Sequence, residues 1–382
     1  MHPKTASSSA PARPSHVRHV VLGLTVAAYM ITYMDRVVIS SAVPSIQKEF
    51  GFSVVTMGWI LGSFRWAYSV FQIPGGWLGD KFGPRRSLAA IVTWWSIFCS
   101  GTALTWNAAS MIVSRFLFGM GEAGAFPIAT RSLSRWMLPS ERGFAQGLTH
   151  AGSRLGAALT PPIVALVIVR FGWRAAFVSF GSLGVIWSAI WFWYYRDNPG
   201  DHAGANDAER KLIATFVGQR KSGDSVPWRR ILSSHQIWIL SAMYFCYAYS
   251  LAVYLDWFPK YLNAGRGFSI QKMGFYASLP LLAGTVGDAA GGWISDLWAR
   301  RSSLKVARRG VAVCGFLIGA VSILAACFVQ DPEQSVLYSC VAMFGLELTV
   351  GVSWAIPLDI GGDYAGSVSA VMNTCGNLGG AV

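Results

Sequence analysis

Four arginines stand inside long apolar runs: Arg36, Arg65, Arg115 and Arg154. A charge at the centre of a bilayer costs about 2.5–3.5 kcal/mol even on the mildest scale. Each must therefore face a partner or a water-filled cavity. A guanidinium matches a carboxylate bidentately, so Arg36 is a candidate for binding an acidic small molecule. The alternative is that it only neutralises Asp35 or Glu122. Those two acids are candidates for carrying coupling protons. Burial favours the neutral acid and a nearby guanidinium favours the carboxylate, so an anion that competes for the arginine would let the carboxyl take a proton. Linkage of this kind is reciprocal. Arg115 lies two turns from Glu122 on one helical face, and is expected to hold Glu122 or to touch the ligand. Arg65 and Arg154 either bind a second acid group or line the pathway. Tyr33 falls three residues before Arg36, and Arg65, Tyr68 and Gln72 share a face by the same spacing. These tyrosines and Gln72 either bond ligand hydroxyls or pack helices.

Membrane helices must position these groups. Hydrophobic residues make up 53% of the 382, and only 13% are charged, half the share usual in soluble domains. Disorder is excluded by this composition, and an ordinary soluble enzyme is not expected. Spans of about 20 apolar residues are read at 18–42, 58–79, 88–106, 109–136, 144–168, 173–195, 236–262, 272–295, 309–328 and 335–358, with an eleventh running from 366. The formal charge is +13. Its basic residues come in short bursts between apolar runs, as at membrane surfaces and not as on a nucleic-acid-binding face. Most fall on one side if the N-terminus is cytoplasmic. The six cysteines lie in apolar segments with no CxxC pair, so neither a disulfide framework nor a metal site is expected. No HExxH, P-loop or GxSxG context appears, and no enzymatic activity is expected.

The organisation read from the chain is a disordered cytoplasmic tail at 1–17, a six-helix bundle at 18–195, a polar cytoplasmic linker at 196–235 and a second bundle at 236–382. The bundles share an echo. Gly76-Trp77-Leu78-Gly79-Asp80 follows the second span, and Gly292-Trp293-Ile294-Ser295-Asp296 follows the eighth at the same offset. Internal duplication of this kind marks many secondary transporters. An acid near a helix N-terminus gains from the helix dipole, which suits Asp80 and its repeat, Asp296.

The run Gly76–Asp80, Lys81, Gly83, Arg85 and Arg86 resembles the loop motif between helices two and three of the major facilitator superfamily, with Pro84 where a basic residue is usual. Arg115-Phe116-Leu117-Phe118-Gly119-Met120-Gly121 resembles its helix-four motif. A narrower resemblance covers nearly the whole chain. Tyr33-Met34-Asp35-Arg36, Tyr68, Gln72-Ile73-Pro74-Gly75, Glu122-Ala123-Gly124-Ala125-Phe126-Pro127 and Met372-Asn373 with Gly376-Asn377 are similar to the anion:cation symporter family, which includes carriers of galactonate, hexuronates, glucarate and phthalate.

That resemblance implies an all-α major facilitator fold of two pseudo-symmetric six-helix bundles, with about one helix beyond the last residue of this chain. It implies a multi-pass protein of the inner or plasma membrane, a monomer, importing organic anions by proton symport with no cofactor beyond the proton. Sugar acids are the expected cargo. Aromatic acids, small dicarboxylates or a non-transporting anion sensor are the alternatives. The resemblance assigns Arg36 to the substrate, Asp35 and Glu122 to the proton, and Asn373 and Asn377 to substrate hydroxyls, with Trp354 a weaker candidate. Gly76, Asp80, Lys81, Gly83, Arg85, Arg86 and Asp296 would latch the cytoplasmic side. Asp256, Asp288 and Glu347 match no motif, and structural roles are expected for them.

Overall fold

A computed structural model describes residues 13–215, 226–254, 258, 261–268 and 270–381. Residues 1–12 of the tail expected at 1–17 and Asp256 lie outside the described residues, while the end of that tail is ordered: Ser15 donates to Asn206 and Glu209, and Val17 begins the first helix. Helices occupy all eleven expected spans among the described residues, that expected at 236–262 as an α-helix to Ala252 with part of its remainder outside the described residues. They are α1 (Val17–Phe50), α2 (Val54–Phe82), α3 (Pro84–Gly101), α4 (Ala108–Glu122), α5 (Ala125–Trp136), α6 (Arg142–Phe171), α7 (Trp173–Tyr194), α8 (Asp207–Ala214), α9 (Trp228–Leu232), α10 (His235–Ala252), α11 (Ile270–Ala299), α12 (Leu304–Phe328), α13 (Pro332–Gly361) and α14 (Ala365–Ala381). No strand occurs among the described residues. The short α8 and α9 fall in the polar segment expected as a linker.

Local chemistry fixes the helix ends. Ser53 and Ser303 accept the Thr56 and Val306 amides at the starts of α2 and α12, and Asn107 with Ser110 forms a capping box on α4. Such caps satisfy amides that have no intrahelical partner. Gly51 closes α1 in the left-handed region, at φ 67°. The span expected at 109–136 breaks at Ala123–Gly124 into α4 and α5. Pro127 has no N–H to return to Ala123, which weakens the turn there. A side chain is also excluded from this crossing, because a Cβ on Gly75 would sit 2.5 Å from the Gly124 Cα.

Among the described residues, six stretches are long and apolar enough to cross a membrane by composition, including Val17–Phe50, Trp173–Tyr194 and Leu304–Phe328. The other spans are shorter or more polar, and they hold Arg65, Gln72, Arg115, Glu122, Tyr247 and Asp288. Large apolar side chains such as Trp66, Val169, Trp193 and Phe328 point outward, where lipid would meet them. Helices α1–α7 pack as one group through α1 with α6, α2 with α4 and α3 with α7. The later helices pack through α10 with α14, α11 with α13 and α12 with α13. The two groups meet along α6 with α11 and α13, and along α14 with α2 and α5.

Candidate functional site

The face on which α1 starts is called proximal here, and the opposite face distal. A cavity of about 700 Å³ lies between the two halves, in their distal part. All four intramembrane arginines line it, together with Tyr33, Phe64 and apolar side chains of α10 and α11. No carboxylate is among its described lining residues. Its size falls within the range of about 300–1,000 Å³ typical of small-molecule sites.

The four arginines are held differently. Arg36 forms an ion pair with the fully buried Glu122, and its guanidinium lies 4.4 Å from the centre of the Tyr68 ring and 5.1 Å from that of Tyr33. Arg115 lies over Phe118, 4.1 Å from the ring centre, and its Nε and one terminal nitrogen have no hydrogen-bond partner. The ion pair expected between Arg115 and Glu122 is not formed. Two helical turns separate them by about 10 Å along one axis, while Arg36 reaches Glu122 from α1. Arg65 is exposed where it lines the cavity. Arg154 crosses to the second half. It donates to Glu347 at 2.9 Å and to the Tyr247 hydroxyl at 3.2 Å, and lies 3.8 Å from Asp288.

Asp35 and Arg36 diverge. Asp35 is fully buried and turned toward α3, where the Trp95 indole donates to it at 3.0 Å and Cys99 approaches at 3.6 Å. Neither an ion pair with Arg36 nor cavity exposure was placed there by the structure. Gln72, Asn373 and Trp354 are also buried and do not line the cavity. Gln72 accepts from Thr374 at 3.4 Å, where α2 meets α14. Asn377 donates to the Asn373 carbonyl, one turn back on its own helix. Trp354 donates to the Tyr244 hydroxyl at 2.9 Å and packs against Phe126 and His150. Gln72 thus takes the packing role, one of the two expected for it, and Trp354, expected to face the cavity, lies instead where the two halves are packed together.

That packing is closed at the proximal face by two matching contacts. Asp80 ends α2, and its carboxylate accepts the amides of Gly366 and Ser367 at 3.2 and 2.7 Å. Asp296 ends α11, and its carboxylate accepts the amides of Gly143 and Phe144 at 3.2 and 2.6 Å. Each acid thus caps the first turn of a helix in the other half, where free amides and the helix dipole favour an anion. Arg131 lies 3.4 Å from Asp80 and also reaches Asp363, and Arg308 lies 2.7 Å from Asp296 and also reaches Asp359. Arg135 and Arg142 pair with Asp363 and Asp359 at 3.0 and 3.1 Å. Backbone meets backbone at the repeated glycines. A Cβ on Gly76 would lie 2.6 Å from the Gly366 carbonyl, and one on Gly292 would overlap the Gly143 carbonyl.

The basic residues expected in this latch are elsewhere. Lys81 lies over its own helix's Trp77 ring at 4.5 Å, and Arg86 is exposed. Arg85 donates to the Phe192 carbonyl at 3.0 Å, and its amide donates to Asp197 at 3.0 Å. Gly83, at φ 80°, brings that carboxylate against the start of α3. Burial pushes the Asp197 carboxyl up, opposed by the Arg85 amide and by Arg135 and Arg131. The cations that pair across the halves, Arg131, Arg135 and Arg142, their partners Asp359 and Asp363, and Arg308, which pairs within the second half and donates across to the Pro139 carbonyl, escaped the sequence reading. Their signal was present as opposite charges at span ends on the same side.

The Major Facilitator Superfamily description matches residues 25–382. A probable sulfoacetate transporter of Cupriavidus necator is 38% identical over 360 residues, covering 94% of this chain and 83% of that protein. The hexuronate transporter of Bacillus subtilis is 30% identical, covering 95% and 85%. A solved structure of a proton:xylose symporter superposes with a TM-score of 0.75 over 95% of this chain and 86% of that one, at 14% identity. The helical architecture and these matches make this a multi-pass membrane transport protein, and the chain belongs to the Major Facilitator Superfamily.

Proposed function

We propose that this protein is a proton-coupled symporter that imports small organic anions across the inner membrane, with its N-terminus in the cytoplasm. The observation that carries this reading is the convergence of Arg36, Arg65, Arg115 and Arg154 on one cavity with no carboxylate among its described lining residues. Arg36 and Arg154 already pair with Glu122 and Glu347, whereas the buried Arg115 has no carboxylate partner among the described residues, and a buried guanidinium of that kind is costly unless an anion shares it. Sugar acids are the proposed cargo, in keeping with the relative named as a hexuronate transporter. A small dianion such as sulfoacetate is the second reading. It is favoured by the relative of 38% identity named for it and by Arg65 and Arg115, two cations without a carboxylate partner among the described residues.

In this reading the distal cavity is the outward-facing entrance, and the Asp80 and Asp296 contacts hold the cytoplasmic side shut. Arg36 and Arg154 take the substrate's acid groups. Glu122 loses its guanidinium partner to the substrate and takes up a proton. Asp35, having no cation within hydrogen-bonding reach among the described residues, holds a proton of its own. Rocking of the halves would then expose the cavity to the cytoplasm. The test is uptake of labelled glucuronate and sulfoacetate into proteoliposomes with an imposed inward proton gradient. Accumulation that collapses with a protonophore supports the reading. Binding without counterflow would make the protein an anion sensor.

A further inference from the structure

Arg154 leads out of the cavity to a cluster in the second half that the transport reading does not use. Its guanidinium faces two carboxylates, Glu347 on α13 and Asp288 on α11, both fully buried. The groups that face this cluster are Arg154 and one turn earlier His150 from α6, Tyr247 and Tyr244 from α10, Asp288 from α11, Glu347 from α13, and the Tyr33 ring of α1, 5.9 Å from the guanidinium. One cation therefore meets two acids.

The two acids are not equivalent. Glu347 accepts from Arg154 at 2.9 Å on one oxygen and from the Tyr247 hydroxyl at 2.9 Å on the other. Asp288 lies 3.8 Å from the Arg154 Nε, and neither of its oxygens has a hydrogen-bond partner. Helix packing pins both in place. A Cβ on Gly284 of α11 would lie 2.9 Å from the Glu347 Cγ, so α13 rests directly on α11 beside Asp288. A second buried carboxylate without donors is far more costly ionised than neutral. Two like charges beside one guanidinium cannot both be retained cheaply.

We propose that Asp288 and Glu347 form a second proton-binding site, in which the pair holds one proton, carried on Asp288, while Glu347 pairs with Arg154. Because Arg154 also lines the substrate cavity, an acid group that draws on Arg154 changes the charge balance of the pair and so its hold on the proton. That consequence rests on the transport reading; the proton itself does not.

The test is infrared spectroscopy of the full chain in lipid nanodiscs at neutral pH, reading the carbonyl stretch of protonated carboxyl groups without any substrate. Wild type is compared with Asp288→Asn and Glu347→Gln. Asp288→Asn removes the proton carrier, and Glu347→Gln leaves Arg154 with Asp288 as its sole acid, which then ionises. The expected result is loss of the same component of the band in both variants. Either variant suffices if the other does not fold. Persistence of the full band in either folded variant overturns the proposal. If no organic anion is transported the function reading fails, and the infrared result still decides this one.

Discussion

Asp80→Asn removes one of the two matching contacts that close the proximal face. The carboxylate caps α14 through two amides, at 3.2 and 2.7 Å, and neutralises the buried Arg131. Asparagine keeps a single acceptor oxygen and no charge. Arg131 is left with the Gly362 carbonyl and with Asp363, whose side chain is 45% exposed. Hydrogen bonds to charged groups contribute about 1.5–3 kcal/mol each, and a broken buried pair costs about 3–5 kcal/mol. Part of that loss is recovered by solvent, so a net bias of about 3 kcal/mol against the closed face is reasonable, or roughly 100-fold in the opening equilibrium. Amide hydrogen exchange reads that equilibrium directly. The amides of 365–370 should exchange on the order of 100-fold faster in the variant, up to the point where the open state dominates. The 142–147 amides, capped by the untouched Asp296, should accelerate as well, because the halves part as bodies. Acceleration confined to 365–370 would refute this, since the loss would then be a local frayed cap. Unchanged exchange at both would show that Asp80 does not hold the face shut.

Three further outcomes follow from the same geometry. Gly76→Val places side-chain atoms where the Gly366 carbonyl and Ala370 already lie at 2.6 and 2.7 Å from a Cβ; the protein should fold but fail to close proximally, lowering uptake by about tenfold or more in proteoliposomes. Glu209→Gln weakens the acceptor for the Val17 and Arg18 amides and the Ser15 hydroxyl at the start of α1, costing about 1–2 kcal/mol, visible as a lower thermal midpoint in detergent with transport retained. Asp197→Asn tests a pH effect. Burial raises this carboxyl in the folded state, so its contribution is present below the ordinary aspartate value and is lost as pH rises through the raised one. Wild type should therefore lose stability relative to Asp197→Asn across that window, and equal thermal midpoints at all pH values would contradict it.

The helices were legible because a membrane span is a local property, set by about 20 consecutive residues. The arginines were legible for the same reason, since a charge in an apolar run must face something polar whatever the fold. Asp80 and Asp296 stood out because the repeat placed them alike. Partner choice was not legible. Arg115 and Glu122 share a helix face, yet Glu122 is taken by Arg36 of α1, a long-range contact that depends on how α1 and α4 cross. Lys81 and Arg86 sit in the motif, while the cations that reach Asp80 and Asp296 are Arg131 and Arg308, from other helices. Asp288 and Glu347 matched no motif, and only the approach of α6 to α11 and α13 brings Arg154 to both. Gln72, Asn373 and Trp354 lie where the halves are packed, because the structure is closed proximally and a sequence carries no conformational state.

The central claim is that the arginine-lined cavity recognises negative charge. The most direct test is equilibrium binding of glucuronate, sulfoacetate and uncharged glucose to the detergent-purified chain, in wild type and Arg36→Ala. The account predicts saturable binding of at least one of the two anions, none of glucose, and a loss of about tenfold or more in affinity in the variant. Glucose binding as tightly as either anion, or anion binding untouched by Arg36→Ala, would contradict it.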